Sequence, residues 1–269
     1  MKMQNNYKQF STVKSMDKRG QVAIYVIIAI VIVVLGVLVY FFRSDIGTIF
    51  GGELVPNSFL ASCLEEDVRN GIKTLSMQGG YSNPEGYIMY QGSNIKYLCY
   101  NAGYYKPCQV QQPMIKSNFE NELNEIVTDK ARECANNLKK TYEDRGFEVT
   151  GFSTATSKVE IVPGVIRIKV NAPMTVTKDT TQTFTEFDAR YKSEMYDLLM
   201  ISTSIIDYES TYGNSETTFY YQYYPNLRIE KLKLGEGSTI YTVSDVRTEE
   251  EFTFASRSLA WPGGIGLEA

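Results

Sequence analysis

From Val22 to Phe42 the chain runs for 21 residues without a charge, after Lys18, Arg19, Gly20 and Gln21 and directly before Arg43. No other stretch restricts the fold as strongly. A helix of about 20 apolar residues spans the hydrocarbon core of a bilayer. In lipid the backbone must satisfy its own hydrogen bonds, so the many Val and Ile residues do not displace a helix. A cleaved secretory signal has a shorter apolar core, about 7–15 residues, followed by small residues. Here Tyr40, Phe41, Phe42 and Arg43 follow instead. The pattern predicts a retained transmembrane helix over 21–43, with the lipid bilayer as its first partner. Lys2, Lys8, Lys14, Lys18 and Arg19 stand against Asp17 on the near side, a net of +4. The positive-inside rule then predicts a single-pass protein of the cell membrane, its N-terminus cytoplasmic and its C-terminal part extracellular.

About 225 residues remain beyond that block, enough for one large domain or two small ones. Pro56-Asn57 opens a helical pattern in which Phe59, Leu60, Cys63, Leu64, Val68, Ile72 and Leu75 form one stripe, ended by Gly79-Gly80. Residues 81–115 are rich in Tyr, Gly and Pro, with short strand-like pieces at 86–91 and 95–100. A second helix is expected from "SNFE", where Ser117 and Glu120 match a capping box. Its stripe is Leu123, Ile126, Val127, Ala131, Cys134, Leu138 and Tyr142, and Gly146 ends it.

From Phe147 the period changes to two. "KVEIVPGVIRIKVNA" reads as two strands around Pro163-Gly164, and "MTVTKDTTQTFTEF" as another pair around Lys178–Thr180. Asp188 is expected to cap a helix bearing Tyr191, Met195, Leu198, Leu199, Ile205 and Ile206. "LRIEKLKL", "STIYTVSDV" and "EFTFASRSL" complete the strands. Runs of strands without alternating βαβ units predict α+β. The full expectation is a long N-terminal transmembrane helix followed by a disulfide-stapled extracellular domain of two helices plus an antiparallel sheet with a further packed helix. Its parts are a tail or leader at 1–20, the spanning helix at 21–43, a helical part at 44–146, a β-rich part at 147–261 and a loose tail at 262–269.

Cys63, Cys99, Cys108 and Cys134 all follow the apolar block, an even number suited to an oxidising exterior. Of the three pairings, Cys99–Cys108 closes the turn-rich "CYNAGYYKPC", and Cys63–Cys134 joins the two predicted stripes. No CxxC pair and no histidine are present, so no metal site is expected.

The absence of histidine removes the commonest general base and the usual triad partner. SxxK at Ser11–Lys14 and Ser93–Lys96 lacks companion motifs, and there is no GxSxG, HExxH or Walker A. "GGIG" near the C-terminus opens no helix. "VRTEEE" (Val246–Glu251) lacks the spaced ligands of a calcium loop and reads as a solvated turn. A net charge of −4 without a basic, aromatic-interleaved patch argues against nucleic acid. The chain is therefore expected to be no enzyme and to need no cofactor. "FYYQYYP" (Phe219–Pro225) is the densest aromatic run. Phe219, Tyr220, Tyr221, Tyr223 and Tyr224 read either as a contact patch or as a strand covering the long helix.

"KRGQ" at Lys18–Gln21, running straight into a long apolar segment, resembles the class III signal of archaeal type IV pilin-like proteins. "KRGQVAIYVIIAIVIVV" is similar to the start of a group of archaeal envelope proteins that also carry a Cys-bearing helix ending near "LQGGY", here "LSMQGGY" at Leu75–Tyr81. The glutamate many bacterial pilins carry early in the mature helix is replaced by Tyr25. The resemblance implies cleavage between Gly20 and Gln21 and a structural or contact role at the cell surface. Partners would be further copies of the chain or other envelope proteins. The alternative is a signal-anchored binding module, an adhesin or ligand-capturing domain, that never polymerises.

Overall fold

The computed structural model describes residues 28–34 and 54–261. The chain divides into two units, Met1–Leu54 and Val55–Ala269. In the first, residues 28–34 are helical with exposed side chains. Among the described residues no helix is long and apolar enough to cross a membrane. The expected transmembrane helix over 21–43 is corrected on that finding. The rest of that stretch, residues 1–20, the Gly20–Gln21 bond and the tail 262–269 lie outside the described residues.

The second unit is α+β. Helix α1 (Pro56–Met77) starts with proline in its first turn, where the missing N–H costs nothing. It stops where Gly79 and Gly80 take positive φ and the Gly80 N–H returns to the Leu75 carbonyl at 2.8 Å. Helix α2 (Ile115–Asp144) buries Phe119, Leu123, Val127, Ala131, Cys134 and Leu138 along one stripe. The capping box at Ser117 is a correction. The helix begins at Ile115, so Ser117 already lies in its first turn. Glu120 instead accepts from Lys116 Nζ at 2.6 Å and from the Ile161 N–H at 2.7 Å. The Cys63–Cys134 disulfide joins α1 to α2, with Cα atoms 5.9 Å apart. The two helices also meet at Gly71, where an added Cβ would lie 2.8 Å from Leu123 Cδ1.

One sheet holds β4 (Glu148–Thr150), β5 (Thr156–Val162), β6 (Val165–Thr177) and β7 (Thr181–Lys192). β6 is central: β4 and β5 share one of its edges and β7 takes the other, all antiparallel. Ile166, Ile168, Val170, Ala172, Met174 and Val176 alternate inward along β6. α1 packs against β7 and α2 against β5. The outer face carries alternating charge, with Glu160–Lys169 at 3.1 Å and Arg190–Asp188 at 2.6 Å. Asp188 therefore sits in a strand and caps no helix, because the period of two continues through Tyr191.

The other sheet has the order β1 (Tyr87–Tyr90), β2 (Ser93–Tyr100), β10 (Glu251–Arg257), β9 (Ser238–Asp245), β8 (Leu227–Lys233), with β3 (Gln109–Val110) also on β2. β2 and β10 run parallel. The sheet is thus mixed, not antiparallel throughout, and it draws strands from both sides of the boundary expected at Gly146. Helix α3 (Met195–Tyr212) covers β2, β9 and β10. Phe119 of α2 meets Phe252 of β10 at 6.2 Å between ring centroids, linking the two layers.

Opening Cys63–Cys134 frees a loop of 71 residues in the unfolded chain. Cys63→Ser should lower unfolding free energy by about 4 kcal/mol, and Cys99→Ser, with a nine-residue separation, by about 2.5 kcal/mol. Denaturant melts of both variants under oxidising conditions check the size and the order of these losses.

Candidate contact surface

Residues 218–223 form a short helix, α4 (Thr218–Tyr223), and not a strand. Glu216 accepts from the Thr218 N–H at 3.1 Å and from its hydroxyl at 2.9 Å, which fixes the first turn. Pro225 follows, and proline cannot continue a helix. Two hydroxyls seat α4. Tyr220 Oη lies 2.8 Å from Ser204 Oγ on α3. Tyr221 Oη donates to the Ile229 carbonyl at 3.0 Å and accepts from the Ile229 N–H at 3.2 Å. Ile229 lies on β8, an edge strand of its sheet, so one tyrosine occupies a backbone pair there.

No residue of α4 is buried. Tyr223 is 75% exposed and Phe219 57%. Tyr208 and Tyr212, on the last turns of α3, are exposed as well, with ring centroids 5.3 Å apart. The aromatic run read from the sequence thus divides in use. Tyr220 and Tyr221 hold the helix by their hydroxyls, while Phe219, Tyr223 and Tyr224 face solvent. Tyr208 and Tyr212 were missed, since they read as the polar side of a core helix.

Beneath this surface lies a buried carboxylate. Glu209 is 2% exposed. It accepts from the Ser215 N–H at 2.8 Å, from Ser256 Oγ at 3.0 Å and, through a short bond, from Tyr241 Oη. Lys231 Nζ stands 4.0 Å away and donates to Asn214 Oδ1 and the Ser215 carbonyl, both at 2.7 Å. The Glu209 carbonyl accepts from Ser258 Oγ and from the Gly213 N–H. One residue therefore ties α3 to β8, β9, β10 and the turn leading to α4. Burial lowers the Lys231 ammonium below its ordinary range, against the pull of Glu209. Burial, and next the Glu209 charge, push the Tyr241 phenol far above the usual tyrosine value. A sequence signal existed: Glu209 falls four residues after Ile205 and three after Ile206, on the apolar stripe.

The turn "VRTEEE" uses its own charges. Asp245 accepts from the Arg247 N–H at 2.8 Å and from its Nη2 at 2.8 Å, and hydrogen bonding by Arg247 holds its carboxyl below the ordinary range. Glu250 accepts from the Glu194 N–H at 2.5 Å. Among the described residues no group of three or more Cys, Asp or Glu is placed to hold a metal ion. A cleft of about 350 Å³ between α1 and this turn has an apolar floor of Val68, Ile72 and Met195 and a rim of both charge signs. Comparison with protein-family models, with curated proteins and with solved structures gives no match.

Glu209→Ala leaves three donors without their acceptor and Lys231 without its nearby counter-charge, and should cost about 3–5 kcal/mol in a denaturant melt. Folded Tyr241 holds its proton to higher pH than the unfolded chain does. Its contribution is complete below about pH 10 and is lost as pH climbs from there toward the folded value. The melting temperature of Tyr241→Phe should therefore fall less steeply above pH 10 than that of the parent chain. Equal slopes would remove Tyr241 from the alkaline transition.

Proposed function

We propose that this chain is a non-enzymatic contact protein of the cell surface, working in an oxidising compartment and meeting a second copy or another envelope protein. One observation carries the reading: the exposed rings of Tyr208 and Tyr212 on α3, of Phe219 and Tyr223 on α4 and of Tyr224 just after it, on a disulfide-stapled domain. Tyrosine gives large, rigid contact area at low conformational cost, and recognition surfaces are enriched in it. Clustered exposed rings of this kind are rare on surfaces that meet only water. The absence of histidine and the use of the buried Glu209 carboxylate in hydrogen bonds between elements support a role without catalysis. The resemblance at Lys18–Gln21 supports a surface destination.

Two measurements test this. Benzoylphenylalanine placed at Tyr223 should crosslink on intact cells into one discrete species at the mass of a dimer or heterocomplex. The same group at Glu148, an exposed position on the first-described sheet, should not. Equal, diffuse labelling at both positions overturns the reading. Intact mass of the native chain should begin at Gln21, and an intact Met1 removes the pilin-like form of the proposal.

A further inference from the structure

The loop from Cys99 to Cys108 is short and heavily tied. The disulfide holds its ends with Cα atoms 5.4 Å apart. Asn101 spans the interior, donating from Nδ2 to the Pro107 carbonyl and accepting from the Gly103 N–H, both at 2.8 Å. The loop is then laced to the end of β10 and the segment after it. Asn101 N–H bonds to the Arg257 carbonyl at 3.1 Å, Tyr105 N–H to the Ala260 carbonyl at 3.0 Å, and Leu259 N–H to the Lys106 carbonyl at 2.9 Å. Cys108 N–H adds a bond to Ser258 Oγ at 2.9 Å. Tyr105 and Leu259 hold positive φ, 56° and 45°, in this lacing. Neither residue adopts that backbone readily, so the surrounding bonds impose it.

This frame presents rings. Trp261 packs edge-on against Tyr105 at 5.3 Å, and Tyr97 against Tyr100 at 5.0 Å. Tyr100, Tyr104 and Trp261 line a cleft of about 540 Å³, and all three are exposed, Trp261 by 60%. The cleft is open to solvent, a surface depression and not an enclosed cavity. Arg257 also lines the cleft and is nine-tenths buried. Its Nη1 donates to the Asn101 carbonyl through a short bond and its Nε to the Glu236 carbonyl at 3.3 Å, and its Cζ lies 5.4 Å from the Tyr104 ring centre. Among the described residues it forms no ion pair. Glu236 lines the same cleft.

These features select a ligand chemistry. Exposed rings gain by covering an apolar face. A guanidinium and a carboxylate in one cleft supply a donor set and an acceptor set whose charges cancel, so neither an anion nor a cation is favoured. A ligand that offers a flat face of C–H bonds, a rim of hydroxyls and no charge meets all three demands. We propose that the cleft between the Cys99–Cys108 loop and Trp261 binds a neutral saccharide, its pyranose ring against the aromatic rings and its hydroxyls bonded to Arg257 and Glu236. This site uses none of the α3–α4 surface residues.

Trp261 is the only tryptophan in the chain, so its fluorescence reports the site directly. The full chain is titrated with glucose, mannose, galactose and N-acetylglucosamine, with their disaccharides and trisaccharides, and with a galacturonate trimer. At least one neutral saccharide should give a saturable change in emission. Tyr104→Ala should weaken that binding about tenfold, the size of one aromatic contact. Tyr223→Ser, on the other surface, should leave it unchanged. Trp261→Ala, exposed and near the end of the described chain, is followed by calorimetry and should lose the heat of binding. Thermal melts confirm that the variants fold. The assignment is overturned by no saturable change with any neutral saccharide, by a response to the galacturonate trimer alone, or by undiminished binding in both cleft variants.

Discussion

The arrangement of the folded domain depends on one buried carboxylate. Glu209 lies in the last turn of the helix that covers the mixed sheet, and its carboxylate receives donors from β9 and β10 of that sheet and from the turn toward α4. A carboxylate taken out of water is costly unless its lone pairs are filled. Here they are filled by groups that converge only when α3, β9 and β10 are all in place. The residue therefore favours the assembled state over partly docked alternatives. Its backbone carbonyl extends the same logic through Ser258 to Cys108, and so to the base of the disulfide loop.

The two disulfides divide the remaining work. Cys63–Cys134 fixes the helix pair that roofs the β6-centred sheet. Cys99–Cys108 fixes a loop beyond the end of β2. Between them, the parallel pairing of β2 with β10 joins residues more than 150 positions apart. Pairing at that distance must close a long loop, which costs chain entropy. A stapled helix pair and local hairpins reduce the chain freedom that this closure must remove.

Local chemistry was legible in the sequence. The stripes of α1 and α2, the hairpins at Pro163-Gly164 and Lys178–Thr180, and the same two cysteine pairs follow from spacing and turn residues. What depends on distant partners was not. Nothing near Tyr97 or Ala255 signals that their strands run parallel. Asp188 resembles a helix cap until its strand is seen continuing to Lys192. The aromatic run at 219–224 has strand-like residues yet folds as a helix, because Glu216 and Pro225 bracket one and a half turns. The spanning helix expected at 21–43 followed from the length of the uncharged run and its flanks; of that stretch residues 28–34 are described and helical, and among the described residues no helix is long and apolar enough to cross a membrane. The Arg257 cleft was hidden because its walls come from three separate segments.

The Tyr221 hydroxyl has an effect beyond seating α4. By engaging both the N–H and the C=O of Ile229, it removes a docking point from the outer rim of β8. A partner approaching from that side finds a phenol where a vacant backbone pair would otherwise invite another strand. An open sheet rim is a template for further strands, and at Ile229 that template is interrupted.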